Sequence, residues 1–162
     1  MIEIRKATLN DIPTITKLAE EIWWPTYAKV ISAEQIYFML GEMYSAKALT
    51  TQMENGHGFL ILTVDEIAKG YASFSKQDET TYKLQKLYLH PDQQGKRVGK
   101  MLIDFVEQEV KNLGAEQIIL NVNRGNNAQV FYLKAGYHVL EEVDIPYHQY
   151  VLNDYVMEKS LM

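Results

Sequence analysis

The chain has 162 residues, 47% of them hydrophobic, with 16 Lys+Arg against 21 Asp+Glu and no cysteine. This length and apolar content suit one domain, expected to span residues 1–162, built around one sizeable core. The net charge of −5 argues against a general polyanion binder, so no nucleic-acid partner is expected. The lack of cysteine excludes disulfides, thiolate metal sites and cysteine catalysis.

The opening "MIEIRKATLND" has no basic segment followed by a long apolar run, and it is not expected to be a signal peptide. Apolar runs such as "FLILTV" fall far short of the roughly 20 residues a membrane helix needs, so the expectation is a cytoplasmic protein with no membrane partner. "IEI" alternates as a short strand. "TLNDIPTITKLAEEIW" then reads as a helix, with Thr8 and Asp11 as its start signal and Ile12, Ile15, Leu18, Ala19 and Ile22 at helical spacing. "WWPTYAKVI" reads as the connection to a second helix, opened by Ser32 and Gln35 as a capping box and striped by Ile36, Met39, Leu40 and Met43.

Three strands follow, "GFLILTVD", "EIAKGYASFSK" and "TYKLQKLYLH", joined by short segments that suit antiparallel turns. In the third, Tyr82 and Leu84 share one parity while Leu87 and Leu89 share the other, so the apolar phase slips around Gln85 and Lys86. Either a β-bulge or burial on both faces accounts for the slip, and bulges commonly leave backbone groups unpaired beside active sites. Next comes "HPDQQGKRVGKML", a glycine-and-cation turn opening a helix whose expected buried stripe is Val98, Leu102, Phe105, Val106, Val110 and Leu113, capped by Gly114. "QIILNVN" is a strand, placed parallel to the preceding one by the intervening helix. "RGNN" turns into a short helix, "AQVFYLKA", stopped by Gly136, and "YHVLEEVDIPY" and "YVLNDYVME" are the last two strands.

The glycine-cation turn carries chemistry. A helix start leaves backbone N–H groups without partners at the positive end of the helix dipole, and a phosphate satisfies both. Gly95 and Gly99 permit close approach, while Lys96, Arg97 and Lys100 supply countercharge. An ordinary strand-to-helix turn with a solvated basic face is the competing reading. A Walker-type loop is excluded because Met101 follows Gly99-Lys100, and the dinucleotide fingerprint G-x-G-x-x-G is absent. His57, His90, His138 and His148 lack ligand-like spacing, so no metal site is expected.

"LYLHPDQQGKRVGKML" followed by "IILNVNRGNNAQVFYLKAGY" resembles the acyl-CoA-binding core of the GNAT superfamily of N-acetyltransferases. The signature Gln/Arg-x-x-Gly-x-Gly/Ala falls on Gln94, Arg97 and Gly99, with Arg97 at the central glycine, and the second block falls on Asn126, Asn127, Ala128, Phe131, Tyr132, Gly136 and Tyr137. The resemblance implies a GNAT-type three-layer α/β/α fold with a mixed, mostly antiparallel sheet and a splayed parallel pair of strands. It also implies an N-acetyltransferase that moves an acetyl group from acetyl-CoA to a primary amine, by direct transfer in a ternary complex. Leu87, Tyr88 and Leu89 are then the backbone partners of the pantetheine arm. Gln94, Gly95, Lys96, Arg97, Val98, Gly99 and Lys100 form the diphosphate turn, and Asn126 or Asn127, with Lys134, holds the rest of the cofactor.

The resemblance also implies Tyr132 as the acid for the departing thiolate, since the family places a tyrosine there and its hydroxyl can donate at neutral pH, with a packed aromatic as the competing reading. The proton acceptor is harder to place. An alkyl amine is only about 0.04% neutral at pH 7, and some relatives use a glutamate on a splayed strand, where this chain has Gln85, Lys86 and Asn121. A water chain remains, or a residue such as Glu21, His90 or His148. "LAEEIWWPTYAKVISAEQIYFML" resembles the polyamine-acetylating branch of the superfamily. That likeness makes Trp23, Trp24 and Tyr27 walls of an acceptor slot and turns Glu20, Glu21, Asp144 or Asp154 toward a polycation, with Asn121 and His148 on the same side. Acceptance of protein or peptide N-termini, a noncatalytic acyl-CoA-binding module and a nucleotide-binding regulator are the alternatives. A homodimer is compatible with all of them.

Overall fold

The computed structural model describes residues 1–162. Arg5 on β1 (Ile2–Lys6) donates two hydrogen bonds to Asp11, whose carboxylate also accepts from the Thr8 N–H. The expected start signal therefore closes a 3-10 turn, Leu9–Asp11, from which α1 (Ile12–Tyr27) continues. That helix runs through Pro25, which corrects the reading of "WWPTY" as a connection. Trp23 and Tyr27 extend the buried stripe of Ile12, Ile15, Leu18, Ala19 and Ile22, and their packing outweighs the hydrogen bond Pro25 cannot donate.

α2 (Ala33–Tyr44) has half of its expected capping box. Ser32 Oγ accepts from the Gln35 N–H at 3.1 Å, but the Gln35 amide turns to the Met39 sulfur. α3 (Ala46–Glu54), capped by Ser45, was not expected; it is only nine residues long and buries only Leu49.

β2 (Gly58–Val64), β3 (Ile67–Lys76) and β4 (Thr81–Leu89) form an antiparallel meander. Asp65 and Glu66 turn between the first two with φ of 50° and 71°, the left-handed pair that matches strand twist. Then come α4 (Val98–Asn112), β5 (Gln117–Asn123), α5 (Ala128–Lys134), β6 (His138–Tyr147) and β7 (Tyr150–Ser160). The sheet order is β1-β2-β3-β4-β5-β7-β6, and only β4 and β5 pair in parallel.

Helices α1 to α3 cover Phe59, Ile61 and Tyr71 on one face, while α4 and α5 cover Leu60, Ala72, Leu84, Ile118 and Leu120 on the other. This is the expected three-layer arrangement. The stripe of α4 is narrower than expected: Ile103 joins Val98, Leu102, Val106 and Val110 inside, whereas Phe105 is half-buried and Leu113 is 58% exposed, one residue beyond the helix end.

Leu102 is fully buried beneath the sheet, and Leu102→Ala should cost about 2–5 kcal/mol in urea unfolding. The Arg5 guanidinium holds the Asp11 carboxyl down to about 2. A depressed carboxyl stabilises the fold above its unfolded pKa of about 4 and loses that contribution as pH falls through about 2. Asp11→Asn should therefore flatten this acid-range decline in melting temperature.

Candidate active site

The phase slip in β4 is a bulge. Ser73 stands opposite Lys86 and Phe74 opposite Leu84, which leaves Gln85 as the extra residue. Gln85 donates to Ser75 Oγ at 3.0 Å, and Lys86 Nζ donates to Gln52 Oε1 of α3 at 2.7 Å. The parallel ladder ends at the same level. Leu84 with Leu120 is the last β4–β5 pair, although β4 continues to Leu89 and β5 to Asn123. Leu87, Tyr88 and Leu89 pair only with Ala72, Tyr71 and Gly70 of β3, and Asn121 to Asn123 pair only with β7. Both strands thus turn unpaired backbone toward a gap.

The glycine-cation turn lies at the end of that gap. Gly95 and Arg97 both adopt left-handed backbone, with φ of 77° and 60°, which explains why glycine suits the central signature position. Arg97 holds it at a cost of about 1 kcal/mol. The backbone N–H groups from Gly95 to Lys100 have no acceptor within the protein. An anion with several oxygens fits such a cradle. A Cβ on Gly99 would lie 3.2 Å from Phe131 of α5 and 3.4 Å from Leu89, so the first turn of α4 is seated directly on the gap. Gln94, Lys96 and Arg97 are exposed, Val98 is spent on the core, and Lys100 already pairs with Asp104 at 2.9 Å.

On the other side of the gap, Asn126 is committed: its Oδ1 accepts from the Ala128 N–H at 2.9 Å and its Nδ2 lies 3.5 Å from the Tyr27 hydroxyl. Asn127 caps α5 by position without a side-chain bond, and Lys134 is exposed in the last turn. Tyr132 is buried, yet its hydroxyl has no protein partner and is not among the sealed unpartnered atoms, which are Trp23 Nε1, His57 Nδ1 and Ser73 Oγ. Burial, and secondarily the nearby Tyr27, raise its pKa, so it carries its proton at neutral pH.

The aromatics do not form one wall. Trp23 is core, stacked among Tyr27, Tyr44 and Tyr88, while Trp24 turns to Glu20 at 3.4 Å. Only Tyr27 reaches the gap, its hydroxyl 2.7 Å from that of Tyr88. The proposed proton acceptors are engaged elsewhere: Glu21 lies 3.3 Å from His90, and His148, at the β6–β7 turn, lies 3.6 Å from Glu42. Asp144 is paired with Arg124 at 2.7 Å.

Asp154 differs from these carboxylates. It is 9% exposed on β7, opposite Asn123, and receives one long hydrogen bond from Asn121 at 3.4 Å. Burial raises its pKa against the opposing pull of Asn121, Lys83 and Arg124. Its signal was in the alternation, where an acid stands at the inward parity between Leu152 and Val156. Lys86 was also underestimated, since burial among Tyr44 and Phe59 pushes its pKa down to about 8.

A family model described as an acetyltransferase (GNAT) domain matches residues 27–149. The chain belongs to the GNAT acetyltransferases. It is 32% identical to a spermidine N(1)-acetyltransferase of Thermoplasma acidophilum, over 98% of this chain and 97% of the relative. The PaiA N-acetyltransferase of the same organism, solved in complex with coenzyme A, superposes with a TM-score of 0.85 at 31% identity, over 99% of both chains. A GCN5-related N-acetyltransferase from Rhodopseudomonas palustris shares the fold, with a TM-score of 0.83 at 23% identity over 98% of this chain and 94% of that one. This GNAT protein is an acyl-CoA-dependent N-acetyltransferase with acetyl-CoA as cosubstrate. No helix is long and apolar enough to cross a membrane.

Coenzyme A at 100 times its dissociation constant should stabilise the acetyltransferase by about 2.7 kcal/mol, read as a rise in melting temperature. Gly99→Leu places a side chain against Phe131 and Leu89 and should abolish that rise while leaving helical circular dichroism largely unchanged.

Proposed function

We propose that this acetyltransferase moves the acetyl group directly, within a ternary complex, to a primary amine of a small polyamine. The parting of β4 and β5 after Gln85, with six unpartnered N–H groups at its end, is the observation that carries the reading. Leu87, Tyr88 and Leu89 offer backbone to the pantetheine arm. Gly95 to Lys100 donate N–H bonds to the diphosphate, and the unpaired Lys96 and Arg97 lend countercharge beside Gln94. Asn127, whose side chain makes no hydrogen bond, holds the remaining cofactor, with Lys134 nearby in sequence. Tyr132 protonates the leaving thiolate from its open hydroxyl.

Direct transfer is supported by the absence of any cysteine to carry an acyl group. A polyamine acceptor is supported by the relative named as a spermidine N(1)-acetyltransferase, similar over nearly its whole length. It also accords with the exposed carboxylates Glu20 and Glu21 on α1 and Glu34 and Glu42 on α2, which favour a cationic ligand.

An acceptor panel of triamines, alkyl monoamines and peptides with free N-termini, assayed by thiol release, tests the substrate class. Triamines should give the highest kcat/KM; preference for peptides would replace this reading, and coenzyme binding without thiol release from any amine would mark a noncatalytic binding module. Tyr132→Phe removes only the hydroxyl, so turnover should fall by about 10²–10⁴-fold while the coenzyme-induced melting shift is retained. Unchanged turnover would leave Tyr132 a packing residue.

A further inference from the structure

We propose that Asp154 is the base that takes the proton from the acceptor ammonium, supplied by β7 where neither parted strand carries a carboxylate. The inference rests on the amine-acetylation reading above. The register places Asn123 opposite Asp154 and Asn121 opposite Val156, so Asn121, Asn123 and Asp154 lie together just past Leu120, the last residue of β5 paired with β4. Leu152, of the same parity on β7, packs with the α1–α3 cluster, which fixes the face toward which Asp154 points. Asn121 is the first residue of β5 past its last pairing with β4, and its amide donates to Asp154 Oδ2 at 3.4 Å. The carboxylate thus reaches the start of the gap from the neighbouring strand.

An enclosed carboxylate normally has an ion-pair partner, and Asp154 has none. Arg124, the nearest guanidinium in sequence, is turned to the backbone carbonyls of Val143 and Asp154 and to the Asp144 carboxylate. The other charged and titratable groups whose fields reach it are Lys83 on β4, which forms no ion pair with it, and Tyr27 on α1. Burial outweighs the pull of Asn121, Lys83 and Arg124 and raises the pKa of Asp154, which suits a group that must accept a proton and later release it. Tyr27, whose hydroxyl lies 3.5 Å from the Asn126 amide and 2.7 Å from the Tyr88 hydroxyl, closes the same end of the gap from α1.

The protons balance. Asp154 takes one proton from the ammonium, and the freed nitrogen lone pair forms the bond to the thioester carbonyl carbon. As the carbon–sulfur bond breaks, sulfur receives the Tyr132 proton, and the tyrosinate recovers a proton from the nitrogen. Asp154 then releases its proton to solvent. The sum is an amide, a free thiol and one proton.

The deciding measurement is kcat/KM against pH for the wild type, Asp154→Asn and Asp154→Glu, each with two polyamine-like acceptors of different amine pKa, alongside the coenzyme-induced melting shift. In the wild type the acid limb should keep its position when the amine is exchanged. In Asp154→Asn, kcat/KM near neutral pH should fall about 10²–10⁴-fold, the limb should follow the amine, the loss should shrink toward the amine pKa, and the coenzyme shift should persist. Asp154→Glu should restore part of the fixed limb. A wild-type limb that tracks the amine, an unchanged Asp154→Asn profile, or a rise in KM alone would overturn the assignment. If Asp154→Asn does not fold, the two-amine wild-type profile decides by itself. Absence of wild-type acetylation with every amine, despite a coenzyme shift, would instead overturn the parent reading and this inference with it.

Discussion

One extra residue in one strand organises the rest of this molecule. Gln85 has no partner on β3, and accommodating it bends β4 away from β5 immediately after Leu84 pairs with Leu120. A continuous sheet would have consumed the backbone polar groups that Leu87 and Leu89 turn away from β3. Because the bulge withholds them, an extended ligand can complete the ladder. The same bend delivers the chain into the turn that starts α4, whose N–H groups are free for the charged end of that ligand.

The walls of the gap come from two independently packed layers. On one side the first turn of α4 sits on Leu89 and Phe131 through Gly99, and Tyr137 and Lys159 both bond Glu107, tying α4 to the end of the sheet. On the other side a connected aromatic set, Tyr44, Tyr71, Trp23, Tyr88 and Tyr27, runs from α2 through the sheet to the end of α1. Hydroxyl bonds at 2.9 Å between Tyr71 and Tyr44 and at 2.7 Å between Tyr27 and Tyr88 give that set directional as well as dispersive cohesion. The last turn of α1, past Pro25, exists to deliver Tyr27 to this network.

Charge is divided along the same line. A chain of net −5 concentrates unpaired Lys96 and Arg97 at the α4 turn, while carboxylates populate α1 and α2 and Asp154 lies inside on β7. On the proposed reading this division draws an anionic cosubstrate and a cationic acceptor to opposite sides of one gap, where local fields matter more than the overall sum.

Strand alternation, helix stripes and the glycine-cation turn were legible because each is a local pattern: a phase slip of two parities located the bulge, and Gly95 and Gly99 located the turn. α3 escaped because a nine-residue helix that buries only Leu49 carries a weak signal, and Pro25 misled because its packing compensation comes from residues distant in sequence. The proposed choice of Asn127 over Asn126 rests on bonds that engage Asn126, one to the nearby Ala128 N–H and one to Tyr27, 99 positions away in the chain. Asp154 shows the same division. Its inward parity on β7 is written in the sequence, but its meeting with Asn121 depends on β7 entering the sheet between β5 and β6. By itself the sequence determined the strands, every helix but α3, the phase slip in β4 and the glycine-cation turn, since these follow from side-chain period and backbone freedom within a few residues. Only the tertiary structure decided which carboxylate, asparagine and tyrosine share the gap, because strand order and helix packing set distances that no local spacing contains.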